Sequence, residues 1–69
     1  MSKSDVHTNH HRKPRSLGGD DTARNVIRVP DKKHQAWHML FSNLTPAQIA
    51  EVINATWLDP DYVLVAFRR

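Results

Sequence analysis

The sequence predicts an α+β fold, a short ββα unit followed by a further helix and strand. Three stretches carry that prediction. "NVIRV" (25–29) is a β-branched run closed by Pro30, the signature of a short strand. Trp37, Leu40, Phe41 and Leu44 fall at i, i+3, i+4 and i+7, an apolar stripe at helical spacing. Thr45, Pro46 and Gln48 spell out a helix start, with Thr45 as N-cap, Pro46 at N1 and Gln48 at N3 completing a capping box.

The elements follow in order. Residues 1–8 read as a flexible arm with little to bury. From His7 to about Lys13 the chain can be extended, and Pro14, which lacks a backbone donor, ends the strand. "SLGGDD" (16–21) is a loop in which Gly18 and Gly19 are free to take positive φ. The strand at 25–29 closes an irregular hairpin. Asp31 is the expected N-cap of the first helix, its carboxylate accepting from free first-turn amides. In the second helix Ile49, Val52, Ile53 and Trp57 form the buried face, and Leu44 and Ile49 sit at the two positions of a hydrophobic staple. Asp59-Pro60 ends that helix, and "YVLVAF" (62–67) reads as a final strand. The domain plan is therefore an arm at 1–8, a ββα unit at 9–43 and a helix-and-strand brace at 44–69.

Size limits what this fold can rest on. A chain of 69 residues buries a modest share of its unfolded surface, and chains this small usually add a staple. With no cysteine, disulfides and thiolate zinc sites are excluded, leaving a metal on nitrogen or oxygen ligands, or oligomerisation. A homodimer would help bury residues 62–67. The polar N-terminus has no signal-peptide core and no run spans a membrane, so a cytoplasmic protein without membrane contact is expected.

Charge is unevenly placed. Residues 1–35 carry Lys3, Arg12, Lys13, Arg15, Arg24, Arg28, Lys32 and Lys33 against Asp5, Asp20, Asp21 and Asp31, a net +4, whereas Arg68 and Arg69 face Glu51, Asp59 and Asp61 in the remainder. A basic half fits an anionic partner such as nucleic acid, and is equally what a plain solvated surface looks like. Asp20 and Asp21 read as a solvated turn, and His7 as a surface residue.

Two histidine pairs hold the chemistry. His34 and His38, four apart on a helix, lie one above the other, where two imidazoles can share a metal ion or simply stand exposed. Trp37 and Phe41 would shield that face from water. His10 and His11 stand side by side at the end of the first strand.

The ordering His10-His11, Pro14, Gly18-Gly19, Asn25, His34 and His38 resembles the HNH nuclease motif, the ββα-metal or His-Me finger unit, in the all-histidine version of the DNase colicins and many small bacterial and phage proteins. The resemblance spans residues 9–38. It implies one divalent ion held by His10, His34 and His38, with His11 as the general base that activates water and Asn25 as a hydrogen-bonder holding the His11 loop. Arg15 is the expected contact near the scissile phosphate, with Arg12, Lys13 and Arg24 as further phosphate contacts. Imidazole titrates near neutral pH, which suits a base that deprotonates water. A divalent ion would offset the negative charge of the phosphorane and the departing 3′ oxygen. Neutral imidazoles suit zinc or nickel as the bound ion, with magnesium or manganese as candidates for the catalytic role.

The resemblance thus implies a metal-dependent endonuclease or nickase on DNA, with weak sequence specificity because few groups are free to read bases. The alternative is a non-catalytic module, such as a phage or defence-system protein, in which the metal is structural and the partner is a protein or nucleic acid.

Overall fold

The computed structural model describes residues 6–69. Strand β1 (His7–His11) pairs antiparallel with β2 (Val26–Pro30), with His10 opposite Ile27 and His11 opposite Val26. The pairing extends one step beyond each end, since Arg12 N donates to Asn25 O at 2.8 Å and Asp31 N to Val6 O at 2.9 Å. The long connection between the strands contains a 3-10 turn at Arg15–Leu17. Helix α1 (Asp31–Phe41) follows β2 directly and packs on both strands. Helix α2 (Pro46–Val52) then widens into a π turn at Ile53–Trp57. An α+β class describes this architecture.

β1 opens at His7, where the extended stretch is expected to begin, and ends at His11, short of Lys13; His7 and Thr8, also counted in the arm, pair with β2, and residues 1–5 of that arm lie outside the described residues. Asp31 is not the N-cap of α1. Pro30 holds that place with an extended backbone (φ −54°, ψ 132°), so Asp31 already starts the first turn and its carboxylate accepts from Gln35 Nε2 at 2.7 Å. The second helix begins as expected. Thr45 Oγ1 accepts from Gln48 N and Gln48 Oε1 from Thr45 N, closing the capping box.

The expected final strand at 62–67 does not form. A strand needs a neighbour with free backbone groups, and the sheet of the described residues ends at β1 and β2. The Asn54 side chain instead takes both backbone groups of Leu64, donating to its carbonyl and accepting from its amide at 2.8 Å each. Residues 62–67 are exposed as a result.

The core is thin. Phe41, 7 % exposed, is the one buried hydrophobic side chain among the described residues, its ring tilted against a half-buried Trp37 at 4.6 Å between centroids. Leu40 and Trp57, expected to face inward, are exposed. Leu40 falls at the margin of the α1 stripe. The π turn, in which Leu58 N reaches back to Ile53 O, inserts an extra residue per turn and swings Trp57 off the Ile49–Val52–Ile53 face. No helix among the described residues is long and apolar enough to cross a membrane.

Candidate metal centre and the His11 loop

Three histidines converge where α1 crosses β1. His10 comes from the strand, and His34 and His38 come from successive turns of the helix. One ring nitrogen from each lies within 4.8 Å of the other two. Helical spacing brings His34 and His38 to a centroid separation of 4.6 Å, and the register of β1 sets His10 at 5.1 Å from His34. Trp37 packs edge-on against His10 at 5.8 Å and walls the cluster on its core side.

The hydrogen bonding orients the donors. Thr8 Oγ1 lies 2.7 Å from His34 Nδ1 and can accept its proton, which leaves the lone pair of His34 at Nε2. That nitrogen lies 2.8 Å from His38 Nε2, so two ring nitrogens share one proton that a cation can replace. His10 Nδ1 is buried with no hydrogen-bond partner among the described residues. Burial holds the His10 pKa below its usual value, and the neighbouring His34 and His38 lower it further, so His10 favours the neutral form that ligates. Three imidazoles, with no carboxylate in the cluster among the described residues, fit a borderline divalent ion such as zinc, whose tetrahedral ligands at about 2.1 Å lie about 3.4 Å from one another. The trio would leave a fourth position open.

His11 stands beside this cluster, and both border a cavity of about 270 Å³ together with Arg15. Its Nε2 lies 2.7 Å from Asp21 Oδ1. A carboxylate only accepts, so Nε2 carries a proton, and in the neutral ring Nδ1 carries the lone pair. Asp21 in turn accepts from Arg15 Nη2 at 2.7 Å and Nε at 3.3 Å. The Arg15 hydrogen bond, followed by that of His11, holds the Asp21 carboxyl below its ordinary range, so Asp21 stays ionised. Asp21 is thus no mere solvated turn residue. Arg15 reaches the cavity, but with its guanidinium already engaged by a carboxylate.

Asn25 does not line the histidine cavity; it fastens the loop. Its Oδ1 accepts from Lys13 N at 2.7 Å, and its Nδ2 donates to Lys13 O at 3.1 Å and Asp20 O at 2.8 Å. Gly18 takes positive φ (91°), as expected. Gly19 serves a different need: a Cβ there would sit 1.8 Å from the Lys13 carbonyl oxygen.

Sequence reasoning misses Thr8 and Asp21. Thr8 meets His34 across 26 residues, and only the register of β1 on β2 could have indicated it. Asp21 sits in a loop whose course carries no periodic signal. A comparison against protein-family models, curated proteins and solved structures finds no match.

Proposed function

We propose that the chain is a metal-dependent, HNH-type endonuclease or nickase that hydrolyses DNA phosphodiesters. The supporting observation is the pairing of a three-histidine cluster with a fourth histidine that is oriented beside it and is not part of it. In this reading His10, His34 and His38 hold the ion, which when bound supplies positive charge against the phosphorane and the departing oxygen. His11 Nδ1 takes the proton of the attacking water while Nε2–H remains on Asp21. As the water oxygen bonds to phosphorus, the P–O3′ bond breaks and the 3′ oxygen leaves with its electron pair, gaining a proton from solvent. Asp21 fixes the tautomer and the ring plane of His11, and Arg15 holds Asp21. Asn25 keeps the loop that carries Asp21 against the end of β1. The second reading, a binding module whose metal is structural, draws on the thin core, in which Phe41 is the one buried hydrophobic side chain among the described residues.

Cleavage of supercoiled plasmid separates the two. Chelator-stripped protein re-supplied with magnesium, manganese, nickel or zinc is expected to nick the plasmid with at least one ion. His11→Ala is expected to lose at least about a hundredfold in rate while still binding metal. Absence of nicking with every ion, by a folded and metal-loaded chain, overturns the nuclease and favours the module.

A further inference from the structure

A second and larger hollow, about 450 Å³, shares no lining residue with the histidine cavity. Arg12 and Lys13 from the end of β1, Arg24 from the loop before β2, and Arg69 from the far end of the tail converge on it. No carboxylate lies within ion-pair distance of these four side chains among the described residues. The acid at the rim, Asp20, accepts from the Thr22 amide at 3.1 Å and hydroxyl at 2.7 Å and feels the charge of Arg24, so it offsets part of the positive charge there. Gathering four cations around one concave surface raises the energy of the unliganded chain through like-charge repulsion and concentrates positive potential in the hollow. Two of the four are anchored, Arg12 at its head group and Lys13 at its backbone. Arg12 Nη1 donates to Arg24 O at 3.2 Å, and both backbone groups of Lys13 are bound to Asn25.

We propose that this cleft is a backbone-phosphate site for duplex DNA, distinct from the histidine cluster and reached by the strand that runs past it. The choice of DNA as the polyanion rests on the function proposed above; the affinity for phosphodiester groups rests on the cleft itself. Of the phosphate contacts expected from the sequence, Arg12, Lys13 and Arg24 gather here, whereas Arg15 is neutralised by Asp21. Arg69 is the addition that only the fold reveals. The tail, pinned through Asn54 and Leu64, ends at the cleft.

The test is fluorescence anisotropy of a labelled 16-base-pair duplex with the full, zinc-loaded chain carrying His11→Ala, which keeps the probe intact. Arg24→Gln with Arg69→Gln is expected to weaken binding at least about tenfold at 100 mM salt and to lower the slope of log affinity against log salt by about 1.8. Lys32→Gln with Lys33→Gln, an equal loss of charge on α1, is expected to cost less than threefold. Neither Arg24 nor Arg69 donates a side-chain hydrogen bond among the described residues, and Arg24→Lys with Arg69→Lys is expected to retain binding, which separates lost charge from lost fold. Equal losses from the cleft and α1 pairs overturn the proposal. So does an absence of duplex binding at 50 mM salt, including the case where phosphatidylglycerol vesicles bind and duplex does not. Plasmid cleavage is a separate readout: a chain that binds through the cleft yet nicks nothing overturns the nuclease and leaves the cleft standing.

Discussion

Asp21 joins two side chains that the sequence sets apart, His11 and Arg15, and its own ionisation state is set by them. Because its folded pKa is depressed, the stabilisation it provides is complete above the ordinary value of 3.8 and is lost as pH falls through the lowered folded value. Wild type and Asp21→Asn are therefore expected to differ in denaturant midpoint at pH 5 and to converge near pH 2. A gap of constant size across that range would show that Asp21 acts other than through its charge. His34 and His38 are legible as a pair because they share one helix face, and His10 joins them in the sequence only through the resemblance to the HNH motif; the structure brings the three together. Asp21 and Thr8 are not legible, since each acts across a loop or a sheet register that leaves no local pattern.

At the scale of elements, the signal that is complete within four residues held, while others lost to a neighbour or lacked a partner. Thr45 and Gln48 are three residues apart and satisfy each other, so their capping box is independent of the rest of the fold. The apolar run at 62–67 has strand character but needed a partner that its own residues could not specify, and Asn54 supplied two hydrogen bonds in place of a ladder. Asp31 lost the N-cap because Pro30 beside it already has the extended backbone. The end of α1 is costly in another way. Ser42 leaves the helix at φ 48° and ψ −126°, a region that glycine tolerates and a side chain resists. Ser42→Gly is expected to raise stability by roughly 1 kcal/mol, the relief of strain exceeding the added freedom of the unfolded chain. Chemical denaturation checks it: a midpoint that stays or falls would place the strain elsewhere.

Over the whole molecule, apolar burial is meagre for the length of the chain. The radius of gyration is 13.8 Å, against about 11 Å for a compact domain of this length. Exposed Met39, Trp57, Tyr62 and Phe67 add nothing to the core. A cation on the three histidines would bind the folded chain and not the unfolded one, tying α1 to β1 where side-chain packing is thin. At a hundredfold excess over its dissociation constant, zinc is expected to add about 2.7 kcal/mol, which in a domain this small is roughly 10 °C or more in Tm. Thermal melts with zinc and with excess chelator measure that difference, and His34→Ala is expected to abolish it. Identical melts of the wild-type chain under both conditions would remove the metal from the balance of forces.

One absent methyl group governs both hollows. With only hydrogen at its Cα, Gly19 lets the loop lie flush on the carbonyl of Lys13, whose two backbone groups Asn25 also holds. The loop is therefore a clasp, closed where Gly19 meets Lys13 and Pro14 and where Asn25 reaches Asp20. Asp20 and Asp21 follow Gly19 directly, one on the rim of the basic cleft and the other on His11. The orientation of an imidazole and the shape of a cationic hollow are thereby mechanically linked, and any side chain at position 19 would open both together.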